Sequence, residues 1–418
     1  MTARTQAQAD RLHAGLFSPA WPEGALANGI VSYSARLVEG LREIGAEVTV
    51  MTNSSGQDDP ASGVFAARPT PLWARWLRAR VNGADGAAAA YHGRRMVRCV
   101  RRALRTRRLS VLQVPDTFGA AAWIAPRVGL PLVVRLHGPW FLNGAALGVA
   151  RDDAWRRRID AERAGIEAAT RVTAPSLDVL EQTRAYYGLP LEDADVVPNP
   201  IRLAPEPQRW RAEACERGRL LFVGRIDRHK GADVMLAAFD RLVSAGRDVR
   251  LTLVGKDTGF QTRDGRRLSL RGLCDELSLS GAARDRLETP GRCVGRELAE
   301  RRRAAEVVVV PSRYETFGNT ALEALAMGCP LVASRAGGLA EIVTHERDGL
   351  LVEPDDAAAL AEAVGRLLDD PALAAELGVR GLDTAARRHS PAEIARQTLE
   401  GYRRAMEAGR RWISGGAA

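Results

Sequence analysis

The stretch Val307–Val343, VVVVPSRYETFGNTALEALAMGCPLVASRAGGLAEIV, holds one complete strand–helix–strand unit of this chain. Four valines form a strand-length apolar run that Pro311 stops, and a polar loop follows. Thr320–Met327 reads as a helix closed by Gly328, Leu331–Ser334 as a second strand, and Gly337-Gly338 as a tight turn. Strand, helix, strand implies a right-handed crossover between parallel neighbours. The same alternation extends outward. Downstream, Leu350–Val352 is a strand, and Asp356 can cap a helix carrying Leu360, Val364 and Leu367. Upstream lie strands at Leu220–Val223 and Val249–Val254, with a helix stripe of Met235, Ala238, Phe239 and Leu242 between them.

A hard interruption at Pro198-Asn199-Pro200, with a polar stretch to Arg219 that reads as a linker, separates this half from an earlier one. There Leu12–Phe17, Glu47–Thr52, Val111–Val114, Leu132–Leu136, Val172–Ala174 and Val196–Val197 are strand candidates. Ile30, Tyr33, Leu37, Val38, Leu41 and Ile44 recur at helical spacing after a Pro/Gly-rich loop over 18–29. The fold class is therefore α/β, in two halves, each a mostly parallel sheet covered on both faces.

At 418 residues, 46% hydrophobic and 27% charged, the chain has the composition of two globular domains and not of a disordered segment. Its five cysteines are scattered, with no Cys-x-x-Cys pair, so neither a disulfide framework nor a zinc site is expected. No signal-peptide core or membrane-length apolar run is present, and the expected location is the cytoplasm. The net charge of +9 is unevenly spread. Between Leu72 and Leu109 eleven arginines face the single acid Asp85, a net of +10, with Trp73 and Trp76 among Arg75, Arg78 and Arg80. Such a mix suits anionic lipid headgroups. It also fits nucleic acid less well, or a plain solvated helix face, since Met96, Val97, Val100 and Leu104 recur between the arginines.

Only two of the sixty basic residues are lysines, Lys230 and Lys256. Lys230 ends LLFVGRIDRHKG, Leu220–Gly231, where a strand stops at Gly224 and Arg225 and Lys230 follow: two cations delivered to an anion, or two charges on a solvated turn. In parallel sheets ligands bind beyond the carboxyl ends of strands. Beyond Val310 stand Glu315, then Phe317, Gly318, Asn319 and Thr320 at a helix start, then Glu323 one turn inside. Backbone N–H groups there can hold phosphate oxygens, with Gly318 permitting close approach, and neighbouring carboxylates can accept hydrogen bonds from sugar hydroxyls. The plainer readings are a dipole-favoured Glu315 and a Glu323 paired with an arginine.

These pieces, in this order, resemble the retaining glycosyltransferases of family 4 (glycosyl transferases group 1). FVGRIDRHKG is similar to the family's diphosphate-binding strand and loop, and VVVVPSRYETFGNTALEALAMGCPLVAS to its donor-binding segment. GGLAEIV and DGLLVEPDD resemble the closing segment, Pro198–Ile201 the interdomain Asn motif, and Asn28-Gly29-Ile30 with EIGAEVTV the first glycine-rich loop, helix and strand. The resemblance implies the GT-B fold: two facing Rossmann-like domains with an interdomain cleft, 1–198 binding the acceptor and 199–390 the nucleotide-sugar donor, with a C-terminal helix over 391–418 returning to the first domain and Trp412 as its anchor.

It implies further that Arg225 and Lys230 hold the donor's diphosphate and stabilise the charge growing on it, with Gly224 and the amides of Gly318–Thr320 sharing the task. Glu315 would hold hydroxyls of the transferred sugar and Glu323 the ribose; His137 would lie near the reacting centre and Gly29 would approach the diphosphate or acceptor. Gly255, Lys256 and Arg292 would approach the nucleotide, although the loop GKDTGFQTRDGR, Gly255–Arg266, is longer than the family's turn. Preorganised cations are the strongest lever for a leaving diphosphate. No metal and no cofactor is therefore expected, and Asp193-Ala194-Asp195 reads as surface charge. The expected activity is hexosyl transfer from a UDP- or GDP-sugar to a hydroxyl of a carbohydrate, lipid-linked or small-molecule acceptor, with peripheral contact to anionic membrane through 72–108 and no nucleic-acid partner. Competing readings are an epimerase or hydrolase of the same fold, or a catalytically idle sugar-nucleotide-binding module. The sequence carries no signal for oligomeric state.

Overall fold

A computed structural model describes residues 12–26, 28–53, 58–67, 86–146 and 148–415, with the side chains of 86–90, 146 and 410–415 left out. Trp73, Trp76, Arg75, Arg78, Arg80 and the side chain of Trp412 thus lie outside the described residues. The chain divides into two compact units: Met1–Pro200 with Pro391–Ala418, and Ile201–Ser390.

The first unit runs β1 (His13–Ser18), α1 (Gly29–Glu43), β2 (Glu47–Thr52), β3 (Val64–Ala66), α2 (Gly86–Ala103), β4 (Val111–Pro115), α3 (Ala121–Val128), β5 (Leu132–Arg135), α4 (Trp140–Ala146), α5 (Asp153–Glu167), β6 (Arg171–Ala174), α6 (Leu177–Tyr187) and β7 (Asp195–Val196). Its seven strands are ordered β3-β2-β1-β4-β5-β6-β7, each pair parallel. β4 is buried along its whole length, as a parallel strand covered on both faces must be. β3 was not expected: at three residues it is too short for a periodicity to show. Asp195 on β7 is not solvated surface charge, because Arg171 Nη2 and Arg404 Nη2 both donate to its Oδ1, at 3.0 and 2.6 Å.

The second unit continues with β8 (Arg219–Val223), α7 (Ala232–Ser244), β9 (Arg250–Val254), β10 (Phe260–Gln261), β11 (Arg267–Leu268), α8 (Leu270–Glu276), α9 (Gly281–Arg284), β12 (Leu287–Gly291), α10 (Gly295–Ala304), β13 (Val307–Val310), α11 (Asn319–Leu325), β14 (Leu331–Ser334), α12 (Leu339–Ile342), β15 (Leu350–Val352), α13 (Ala357–Asp369) and α14 (Pro371–His389). Its six-stranded parallel sheet is ordered β12-β9-β8-β13-β14-β15. β8 and β13 are central neighbours, so the loops that follow them emerge side by side. Asp356 caps α13 as expected, its Oδ1 accepting from Ala359 N at 2.8 Å.

Two expectations change. The long loop after β9 folds into the antiparallel ribbon β10–β11, with Phe260 buried in the unit's core. And 201–219 is no linker: Ile201 and Trp210 are buried in the second unit, with Trp210 Nε1 donating to Ala305 O at 2.7 Å. The indole carries a large apolar surface that is withdrawn from water despite the polar composition around it.

The last helix, α15 (Pro391–Gly415), belongs to the first unit. Ile394, Ala395, Tyr402 and Ala405 share a core cluster with Leu37, Val38 and Leu41 of α1. Tyr402 Oη donates to Gln113 Oε1 at 2.9 Å, and Gln113 Nε2 to Tyr33 Oη at 3.2 Å, a buried chain tying α15 to β4 and α1.

Candidate functional site

In the second unit the backbone sets the geometry first. Gly224 N donates to Val254 O at 2.9 Å and Ile226 N to Lys256 O at 3.0 Å, so the loops after β8 and β9 stay paired beyond the sheet. A Cβ on Gly255, whose φ is +156°, would sit 1.7 Å from Gly224 O. Only glycine permits that approach. Asp227 then locks the turn: its Oδ2 accepts from Arg225 Nε at 2.6 Å and its Oδ1 from Lys230 N at 2.8 Å. Gly231, at φ +71°, lies against Pro311, where a Cβ would be 1.9 Å from the carbonyl oxygen. This contact seats the loop after β8 on the loop after β13.

The result is an ion pair between residues far apart in sequence. Lys230 Nζ donates to Glu315 Oε1 at 2.6 Å, and Ser312 Oγ donates to the same oxygen at 2.8 Å. Burial pushes the Glu315 carboxyl up, but Lys230 and Ser312 outweigh it and hold its pKa below the ordinary value. The neighbouring His229 is pushed down to about 4, by burial and then by Lys230, so it is neutral at pH 7. Lys230 is not a solvent-side cation: its side chain is 21% exposed, against 41% for Arg225.

Gly318, at φ +105°, precedes the first turn of α11, which carries no acidic residue. Asn319 and Thr320 are half-buried there. Phe317 is corrected: its ring is 4% exposed and packs edge-on to His389 in the core, so the side chain has no path to a ligand and only its backbone remains available. Glu323 is paired with buried Arg302, the plainer of the two sequence readings. Lys256 and Arg292 are exposed beyond β9 and β12.

In the first unit Gly29 opens α1 behind Asn28, whose Oδ1 accepts from Ile30 N at 2.7 Å. His137 follows β5 and is held edge-on to Tyr33, ring centroids 4.9 Å apart. Burial, then the charge of Arg135, pushes its pKa well down, so the imidazole is neutral. Two carboxylates absent from the sequence reading shape this loop. Asp116 Oδ2 accepts from His137 N at 3.2 Å, and Glu162 Oε2 from Trp140 N at 2.6 Å. Both are almost fully buried, at 4% and 2% exposed. Burial pushes Asp116 up to about 6; burial and then the Asp116 charge push Glu162 up to about 8. Arg158 stacks 3.5 Å above the Trp140 ring and donates to Glu162 Oε1 at 3.3 Å. Asp116, at the end of β4, stood where a strand-end carboxylate is worth noticing; Glu162, inside α5, left no local signal. Among the described residues no three His, Cys, Asp or Glu side chains cluster as metal ligands.

Cations at the strand ends of a parallel sheet, beside a glycine-led helix start, are chemically suited to meet an anion. Residues 217–370 match the family model described as Glycosyl transferases group 1, and residues 27–204 that of Glycosyltransferase Family 4. A D-inositol 3-phosphate glycosyltransferase of Catenulispora acidiphila is 35% identical over 314 residues, 71% of this chain and 73% of that protein. The chain belongs to the group 1 glycosyltransferases. Another D-inositol 3-phosphate glycosyltransferase, from Xylanimonas cellulosilytica, is 33% identical over 303 residues, 69% of this chain and 70% of that protein. The sucrose-phosphate synthase of Thermosynechococcus elongatus has a TM-score of 0.69 at 26% identity, over 95% of this chain and all of that one. Anabaena HepE in complex with UDP shares the fold, with a TM-score of 0.61 at 18% identity over 93% of this chain and 98% of that one. This glycosyltransferase is of the GT-B type, and among its described residues no helix is long and apolar enough to cross a membrane.

Proposed function

We propose that this glycosyltransferase moves a hexosyl group from a UDP- or GDP-sugar to an acceptor hydroxyl, retaining the anomeric configuration and using no metal. The observation that carries the reading is the Lys230–Glu315 pair at 2.6 Å, with Arg225 in the same loop. A lysine ammonium has three N–H donors, and Glu315 takes one, so the others can meet phosphate oxygens without breaking the pair. Arg225 presents the rest of its guanidinium fork beside it. As the glycosidic bond breaks, negative charge moves onto the diphosphate, and cations fixed beforehand stabilise that charge without reorganising. The first-turn amides of α11 share the load; Glu315 takes sugar hydroxyls and Glu323, oriented by Arg302, the ribose.

His137 is assigned to the acceptor side of the reaction, as a neutral imidazole. Because the relatives are named for D-inositol 3-phosphate, a phosphorylated cyclitol is the first acceptor to try, ahead of carbohydrates and lipid-linked sugars. A thermal-shift panel of UDP-, GDP- and ADP-sugars identifies the donor, since a bound donor raises the melting temperature by mass action. The anomeric configuration of the product, read by proton NMR, then tests retention. Arg225→Ala should lower transfer by about 100-fold or more while the melting temperature holds. Unchanged turnover in that variant removes the leaving-group argument, free sugar formed without acceptor points to a hydrolase or epimerase, and binding without turnover to an idle module.

A further inference from the structure

Helix α2 sorts its arginines by face. Met96, Val97, Cys99, Val100 and Ala103 are buried against the sheet. On one flank Arg95 donates to Asn53 O at 3.4 Å and to Ala67 O at 3.5 Å, and Arg102 pairs with Asp58. Arg107, just past the helix, donates to Pro60 O and Ala61 O, both at 3.0 Å. What remains is Arg94, Arg98, Arg101, Arg105 and Arg108, all exposed and spaced four, three, four and three residues apart. Within the helix that spacing places Arg94, Arg98 and Arg101 on one stripe, and Arg105 and Arg108 follow as exposed residues of the segment after it.

Elsewhere several exposed arginines, Arg266 and Arg366 among them, meet a carboxylate. None of the five takes part in an ion pair among the described residues, and α2 and α3 contain no acid. Arg101 Nη2 donates to Arg127 O at 3.3 Å, and Trp123 on α3 carries Arg94 and Arg127 over its ring, at 5.2 and 4.6 Å from the centroid. The helix dipole accounts for cations in the last turn, but not for Arg94 and Arg98.

We propose that this face of α2 and α3 docks the glycosyltransferase on an anionic lipid surface. A sheet of anionic headgroups accepts cations at any spacing and needs no groove, which fits a convex helix; an amphipathic aromatic among the cations suits the headgroup layer. The face interleaves no Asn, Gln or Ser among its arginines to read base edges. The sequence immediately before α2, LWARWLRARV over 72–81, repeats the same composition. The inference stands on charge placement and does not depend on the donor or acceptor.

The test is co-sedimentation of the full chain with phosphatidylcholine vesicles, alone or with about a third phosphatidylglycerol. Binding is expected only to the mixed vesicles, and to fall with salt. R94Q/R98Q/R101Q should lower partitioning about a hundredfold, each arginine near such a surface contributing about fivefold. R98Q/R105Q/R108Q serves the same purpose should the first variant melt early. The same change of charge at exposed Arg380, Arg387 and Arg388 on α14 should leave partitioning unchanged. Equal binding to both vesicle types, no binding to either, equal loss from the α14 variant, or tighter binding to random duplex DNA than to the mixed vesicles would each overturn the assignment.

Discussion

Replacing Lys230 with Met removes the cation that Glu315 faces at 2.6 Å and keeps most of the stem's volume. Both side chains are largely withdrawn from water, 21% exposed for Lys230 and 11% for Glu315, so the carboxylate left behind keeps its desolvation cost with Ser312 Oγ as its remaining donor. Stranding one member of a buried pair costs roughly 3–5 kcal/mol, and the residual water at Lys230 lowers this to about 2–4 kcal/mol. In a unit of about 190 residues each kcal/mol moves Tm by about 2–4 °C, so Tm at pH 7 should fall by about 4–16 °C. The pH dependence carries the sharper test. In the parent, Glu315 has a lowered pKa, and a lowered folded-state value contributes stability above the unfolded pKa that fades as pH falls through the folded one. Without Lys230, burial dominates and the folded pKa rises above the unfolded one. The variant then loses stability as pH climbs through that window. Its deficit against the parent should shrink between pH 7 and pH 4, and K230M/E315Q should be less damaged than K230M and lack the loss that Glu315 adds as pH climbs. Thermal melts followed by circular dichroism at pH 7, 5.5 and 4 read all of this. A deficit as large at pH 4 as at pH 7, or a double variant whose loss equals the sum of the singles, refutes the reasoning.

Gly255→Ala forces a methyl to within 1.7 Å of Gly224 O, and backbone cannot move aside cheaply, so a loss of at least about 3 kcal/mol in denaturant titration is expected; a neutral variant would contradict the loop packing. Trp210→Ala should destabilise by about 3–5 kcal/mol as a core truncation, whereas a residue in a true linker would change the denaturation midpoint by almost nothing. His137, with its pKa pushed well down by burial and Arg135, should show no imidazole titration by NMR between pH 8 and pH 6; a protonation midpoint near 6.5 would mean the loop is open to water.

Alternation of apolar runs and helical stripes was enough to place the strands of both halves within a residue or two, because buried parallel strands are written as continuous Val, Leu and Ile. Strands without such a run were not legible. β12, LETPG, has one large apolar residue and is half-exposed along its length, and its pairing with β9 comes from the sheet edge it covers. The meeting of Lys230 and Glu315 was legible because both follow neighbouring strand ends directly, so position in sequence and position in space coincide. Asp116 and Glu162 reach the His137 loop from elements 21 and 22 residues away from the amides they accept, and only the folded topology brings them there. Phe317 misled for the opposite reason: it sits inside a polar loop and helix start, while its own ring completes the core.

The ion pairs of the second unit have a common consequence. Arg225 is matched by Asp227, Lys230 by Glu315 and Arg302 by Glu323, so each of these three cations is already opposed by a carboxylate, while Lys256 and Arg292 stay exposed. Such an arrangement holds the cations in fixed rotamers before any ligand arrives, which removes the ordering cost that a free lysine or arginine would incur on binding. In the proposed donor complex it would also limit how tightly a resting diphosphate is held, because part of each cation's field is opposed by its partner. In that complex the charge that develops as the sugar departs meets the same fixed carboxylates, because Coulomb energy is linear in charge. Fixed pairing therefore weakens attraction to resting and developing charge in proportion, and what it would contribute to the rate of the chemical step is preorganisation: the cations need not reorient as that charge grows.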